Sequence, residues 1–212
     1  MRNVVLFVLL TLCLAALPGF ASSMPGATMD NTTGQSLSNG PFTLGWQFTV
    51  TQTITVTGLG AFDDSLNGLG ESHDVGIWNS NGLLMGSATV PAGTGGTLVN
   101  QFRYTGTSFT LTPGTYDIGA VWLDGVDPML FPTSPVINFA TAPGIIYIQN
   151  DYIAGSTLQD PTNHTSPPPG YFGPNFLFTT SSGQVPEPAS LFLLGSGLLG
   201  LGGLARKRMK KA

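Results

Sequence analysis

An all-β fold, an antiparallel β-sandwich of jelly-roll type, is predicted for the body of this chain, and three observations predict it. Apolar and polar residues alternate with period two along several short runs. Turn dipeptides recur between those runs at the spacing of an antiparallel sandwich. The composition holds 29 Gly and only 8% charged residues, with little of the Ala, Glu and Lys that favour helices. No helical periodicity precedes residue 189.

The strands follow in order. Trp46, Phe48 and Val50 alternate with Gln47 and Thr49, and Ile54 and Val56 with Thr53, Thr55 and Thr57. Val75 and Ile77 continue the period. Asn81-Gly82, between Ile77-Trp78 and Leu83-Leu84, signals a hairpin, because both residues tolerate the positive φ of a tight turn. Phe102-Arg103-Tyr104 and Phe109-Thr110-Leu111 supply two further strands. Pro113-Gly114 turns the chain into Tyr116, Ile118, Ala120 and Trp122, again in alternation. Residues 145–148 and Phe176-Leu177-Phe178 complete the set. The Gly-rich residues 92–97 and the Pro-rich residues 159–174 read as loops, since proline donates nothing to a ladder. Residues 22–40 are rich in Ser, Thr, Asn and Gly and are expected to be partly disordered.

The two ends differ from the body. Arg2 precedes an unbroken apolar stretch, 4–17, and then Pro18-Gly19-Phe20-Ala21-Ser22, with small residues where a signal peptidase would cut. Residues 1–21 therefore read as a signal peptide for the secretion machinery. Cys13, the only cysteine, leaves with it, so the body has neither disulfide nor thiol. The body, residues 22–184, is long enough to bury about 70% of its unfolded surface in one domain. It carries one base, Arg103, against ten acids, a net charge of −9. Such a body repels phosphate backbones, which argues against nucleic acid as a partner. At the other end, residues 189–205 carry no charge, and Arg206, Lys207, Arg208, Lys210 and Lys211 follow. The run is at the lower limit for a transmembrane helix of about 17 residues. The basic cluster would stay cytoplasmic, leaving the body outside the inner membrane.

Val185-Pro186-Glu187-Pro188, the Leu/Gly-rich run and the terminal basic cluster together resemble the PEP-CTERM sorting signal of exported bacterial proteins. The resemblance covers residues 185–212. It implies processing near Pro186-Glu187-Pro188 by exosortase, a membrane-embedded cysteine protease-like enzyme. The inner membrane would then be a transient anchor, and the body would be released or attached at the surface of a Gram-negative cell that makes extracellular polysaccharide. The body also resembles a β-sandwich domain of unassigned role found in many such proteins. That likeness runs from Ile54-Thr55-Val56-Thr57-Gly58-Leu59-Gly60, through His73-Asp74-Val75-Gly76-Ile77-Trp78 and Ala88-Thr89-Val90-Pro91-Ala92-Gly93, to Leu111-Thr112-Pro113-Gly114-Thr115-Tyr116.

Within the body, residues 63–74 carry the most suggestive spacing. Asp63, Ser65, Asn67, the carbonyl of Leu69, Glu71 and Asp74 fall where a calcium loop of EF-hand type places its oxygens, and Gly68 falls at its sharp turn. Ser65 is a weaker ligand than Asp, and Asp74 is shorter than the usual Glu. The same residues also read as an acidic hairpin loop kept soluble by its charge, so calcium is a candidate ligand rather than an assigned cofactor.

Catalytic patterns are sparse. His73 and His164 are the only histidines, and His73 beside Asp74 reads as a loop residue rather than a base. No Gly-x-Ser-x-Gly elbow is present. Asp124 with Asp127, or Asp63 with Asp64, could form a glycosidase pair. Trp46 and Trp122 lie in phase with apolar partners and read as core. Trp78 is out of phase with Val75 and Ile77 and is the candidate for stacking a sugar ring at the surface. Asn31-Thr32-Thr33 and Asn163-His164-Thr165 have sequon spacing. The reading that follows is an exported, non-enzymatic protein of the cell surface or polysaccharide matrix, sorted by its tail. A calcium-braced carbohydrate-binding module is the alternative, and a secreted hydrolase a more distant one.

Overall fold

The computed structural model describes residues 22–30, 35–37, 40–123, 125–131, 138–165 and 171–180. The expected signal peptide, sorting motif, membrane run and basic cluster lie outside these residues. By its internal contacts the chain divides into Met1–Thr180 and Ser181–Ala212. Among the described residues no helix is long and apolar enough to cross a membrane.

The strands, in chain order, are β1 (Met24–Pro25), β2 (Ala27–Asp30), β3 (Gln35–Leu37), β4 (Phe42–Val50), β5 (Ile54–Phe62), β6 (His73–Asn79), β7 (Leu84–Val90), β8 (Thr97–Val99), β9 (Phe102–Leu111), β10 (Gly114–Trp122), β11 (Met129–Phe131), β12 (Asn138–Thr141), β13 (Ile145–Ala154), β14 (Asn163–Thr165) and β15 (Pro174–Thr180). They build a five-stranded sheet in the order β1-β15-β5-β9-β8 and a six-stranded sheet in the order β14-β13-β4-β10-β6-β7. β11 with β3, and β12 with β2, form two small ladders. Every pairing is antiparallel.

Counting β1, β4, β5, β6, β7, β9, β10 and β15 as a set of eight, one sheet reads first, eighth, third, sixth. The other reads second, seventh, fourth, fifth. That is the strand order of a jelly roll, two nested Greek keys. β8 adds an edge strand beside β9, and β13 with β14 widens the other sheet beyond β4.

The period-two pattern sets the faces. Leu44, Trp46, Phe48 and Val50 of β4 point inward with Tyr116, Ile118, Ala120 and Trp122 of β10 and with His73, Val75 and Ile77 of β6, all buried. From the other sheet, Ile54, Val56 and Leu59 of β5 and Phe176 and Phe178 of β15 meet them. Phe176 joins the layers: its ring lies 4.9 Å from Phe48 and stacks on Trp46 at 6.0 Å. Offset aromatic contacts at these separations contribute beyond the area they bury. The indole of Trp46 also donates to the carbonyl of Pro174 at 3.0 Å, so this core nitrogen is not stranded.

Three local expectations change. Residues 102–111 form one strand, not two, because the register with β5 shifts between Val56 and Gly58 and pairing continues past the shift. Of residues 22–40, expected to be partly disordered, the described ones include three short strands, and 31–34 and 38–39 lie outside the described residues. Each has a partner far along the chain: β1 on β15, β2 on β12, β3 on β11. The Pro-rich stretch 159–174 contains β14, which pairs with β13 through Asn163 to Thr165, clear of every proline.

Candidate functional site

The predicted calcium ligands run from the loop after β5 into the start of β6, and several of their oxygens are already engaged. Asp63 is 2% exposed and accepts from Arg103 Nε at 2.6 Å. The same carboxylate oxygen accepts from the Gly68 amide at 3.0 Å. The rest of the guanidinium donates to backbone carbonyls: Leu66 at 3.1 Å, Gly96 at 3.3 Å and Thr94 at 3.5 Å. Leu66 sits at φ 61°, an unfavourable region for a branched side chain, where its carbonyl faces Arg103. Gly68, at φ 111°, lies so close to Gly93 that a Cβ would strike its backbone.

The remaining members are dispersed. Ser65 Oγ contacts Asp64 at 3.4 Å, and Asn67 is exposed. The Leu69 carbonyl accepts from the Gly93 amide at 2.6 Å. Glu71 accepts from the Leu123 amide at 3.3 Å, and Asp74, out on β6, from Thr89 at 2.6 Å. Among the described residues, no three His, Cys, Asp or Glu side chains converge as a metal centre requires. A calcium loop gathers its ligands on one point. Here Arg103 takes Asp63, and the strand that begins at His73 carries Asp74 away. This loop is a pin between residues 63–69 and residues 93–96.

His73 is not a loop residue. It opens β6 fully buried, with its ring 4.4 Å from that of Trp122. Nδ1 faces the Val121 carbonyl at 2.8 Å, and Nε2 faces Asp127 at 3.0 Å. A carbonyl only accepts, so Nδ1 carries a proton. Asp127 also accepts from the amides of Gly70 at 2.7 Å and Glu71 at 2.9 Å. Burial opposes its ionisation, but the His73 hydrogen bond and the two amides outweigh burial and hold its carboxyl below the ordinary range. Both ring nitrogens are occupied and the ring is out of solvent, so the pair clamps 70–73 to 121–127. The proposed acid partner Asp124 lies outside the described residues. Asp64, proposed beside Asp63, is exposed.

This clamp has a defined pH signature. A depressed carboxyl contributes stability above the unfolded carboxyl value, about 3.9, and loses that contribution as pH falls through its folded value. Melting temperature is expected to drop steeply from about pH 5 downward. In Asp127→Asn, stability at neutral pH is lower and this acid-dependent component is smaller. Thermal unfolding of both proteins between pH 3 and 7 measures the two slopes.

Trp78 is also corrected. It does point outward from β6, but it is only 5% exposed. Its ring lies against Gly76, with Leu84 and Leu158 beside it. The cover is residues 155–162, which cross the outer face of the six-stranded sheet. The track beneath that cover is a row in register across all six strands: His164, Asp151, Gly45, Gly119, Gly76 and Ser87. Three consecutive strands place glycine in that row. Pro161 packs on Gly119, where a Cβ would sit 3.2 Å from its ring. Gly155 donates to the Pro41 carbonyl at 3.0 Å. Thr43 donates to the Thr157 carbonyl at 3.3 Å and accepts from the Gln159 amide at 3.3 Å.

One end of the row is acidic. Asp151 is fully buried and meets His164 Nδ1 at 2.6 Å. Asp117 accepts from Gln47 at 2.9 Å, and Gln149 in turn donates to Gln47 at 3.3 Å. Asp160 approaches from the covering segment. Burial first, then the hydrogen bond and charge of Asp117, then the charge of Asp160, push Asp151 up to about 9. Asp160 is raised in turn by burial and by Asp117, against His164. Sequence reasoning missed this cluster, because only the sheet register brings Asp117, opposite Gln47, and Asp151, opposite Gly45, together across β4.

Fold and site together define the body as a jelly-roll β-sandwich whose buried acids and lone arginine, with a buried and a half-exposed histidine, hold strands and loops to one another. Its sorting signal is explicit: residues 184–208 match the model of the PEP-CTERM protein-sorting motif. That motif supports exosortase-dependent sorting of an exported protein held at the membrane before processing. The curated proteins offer no match to the chain, and neither do the solved structures.

Proposed function

We propose that this is an exported, non-enzymatic protein whose β-sandwich body is delivered to the cell surface or the extracellular polysaccharide matrix by its C-terminal signal. The match at residues 184–208 carries this reading. In it, residues 1–21 direct export, residues 189–205 hold the chain in the inner membrane, and Arg206, Lys207, Arg208, Lys210 and Lys211 stop its transfer. Val185, Pro186, Glu187 and Pro188 are then presented to the processing enzyme as substrate. The non-enzymatic part rests on how the body uses its reactive side chains. Asp63 serves Arg103, His73 serves Asp127, and His164 serves Asp151. Groups committed to such pairs, two of them buried on both sides, are poorly placed to meet a substrate.

Intact-mass measurement on protein recovered from its native cells tests the sorting. The extracellular or surface fraction is expected to lack both the first 21 residues and the sequence beyond the Pro186-Glu187-Pro188 region. Replacing Pro186 and Glu187 with Ala is expected to leave the tail attached and the protein in the membrane fraction. Full-length mass in the extracellular fraction would overturn the reading.

A further inference from the structure

We propose that residues 155–165 form a proton-latched strap: one proton shared between Asp117 and Asp151 holds the segment over the glycine row, and loss of that proton lets the segment lift. Asp151 Oδ1 is bound to His164, while Oδ2 is buried and meets no donor. The neighbour within hydrogen-bonding reach is Asp117, itself an acceptor. Two carboxylates in contact repel; one carboxylic acid and one carboxylate form a short, strong hydrogen bond. A proton on Asp151 therefore supplies a donor where both carboxyls otherwise only accept. Gln47, braced by Gln149, fixes Asp117 from its other side.

The groups facing Asp151 are few. Asp117 comes from β10, Asp160 from the strap, His164 from β14, and Tyr147 from its own strand. From β4 come only the uncharged Gly45 and Gln47. Arg103 is paired with Asp63 in the other sheet. When the shared proton leaves, two carboxylates stand in contact with a third nearby, and His164 is the one basic side chain beside them. The strap bears the consequence, since Asp160 belongs to it and also has a buried oxygen without a donor. Below the strap the glycines offer no side chain to grip. Apart from the β14–β13 pairing at its end and the His164–Asp151 contact, its anchorage is Pro161, Leu158 and the few bonds to Pro41 and Thr43.

The sign follows from the direction of the shift. The folded state keeps a proton that the unfolded chain gives up near pH 4. Stability from this site therefore declines as pH rises from about 4, and the decline ends above the folded value of about 9. This is opposite to the Asp127 clamp.

Hydrogen exchange of the full chain between pH 6 and 10.5, corrected for the intrinsic rate, reads the latch. Protection at the amides of Gly155, Gln159 and β14 is expected to fall at least tenfold between pH 6 and 9 and to level off above about pH 9, while β4 and β10 stay protected. Asp151→Asn keeps an N–H donor toward Asp117 and is expected to abolish the transition. Asp117→Asn relieves the repulsion and is expected to move the levelling-off to lower pH. Equal protection at pH 6 and 10.5 in the wild type would overturn the proposal without reference to any variant. So would a transition unchanged in Asp117→Asn. Restoration of protection at pH 10.5 by millimolar calcium, absent in Asp151→Asn, would show that a cation rather than a proton occupies the pair, and would also overturn it.

Discussion

Arg103→Met is expected to lower the folding free energy by about 3–5 kcal/mol, the range for removing one partner of a buried ion pair. The size comes from what remains behind. Asp63 stays buried in β5's exit with the Gly68 amide as its remaining partner, and the carbonyls of Leu66 and Gly96 lose their donor. The loop 63–69 and the stretch 93–96 are then joined mainly by the two Leu69–Gly93 backbone bonds. The double variant Arg103→Met, Asp63→Leu removes both charges and is expected to recover most of the loss. Urea unfolding of the wild type, both single variants and the double variant gives the coupling directly. Full additivity would show that the pair is not a unit.

Phe176→Ala is expected to cost a comparable amount, about 3–5 kcal/mol, as a large-to-small change in a packed core. Phe176 is fully buried and touches both sheets: Trp46 and Phe48 across the interlayer space, Phe178 along its own strand. It also covers Gly26, where any Cβ would press into its ring. Truncation would leave a cavity between the layers that neither sheet can close without bending. Phe176→Leu retains most of the volume and is expected to lose less. Thermal and urea unfolding of both variants checks the order. Equal loss in the two would point to aromatic geometry, rather than volume, as the source.

The sheet-forming segments were legible because their signal is local. Trp46, Phe48 and Val50 announce one buried face within five residues, and Asn81-Gly82 announces its hairpin in two. In the hairpin, Gly82 adopts φ 74° and Asn79 accepts from the amides of Asn81 and Leu83, so the turn closes on its own side chain. The site was much less legible. The spacing in 63–74 is real, and Gly68 does make a sharp turn, yet ligand spacing carries no information about a competitor. Arg103 is that competitor, 40 residues away. A signal for it existed: the only base of the body stands between Phe102 and Tyr104 in a strand, a place where an unpaired charge could not remain. Trp78 failed in the same manner. Its phase correctly placed it on the outer face, but phase says nothing about a strap that returns from residues 155–162 to cover that face.

The sequence by itself determined the principal sheet strands, their inward faces and the sorting tail, because period-two burial, turn chemistry and a terminal signal are each written within a few neighbouring residues, whereas the short strands β1, β2, β3 and β14 depend on distant partners. Tertiary structure alone decided the partner of every buried charge and the cover over the glycine row. Those depend on register between strands far apart in the chain. A shift of one residue in the β4–β10 or β13–β4 pairing would turn Asp117, Asp151 and the glycines to the other face and leave each acid a different neighbour.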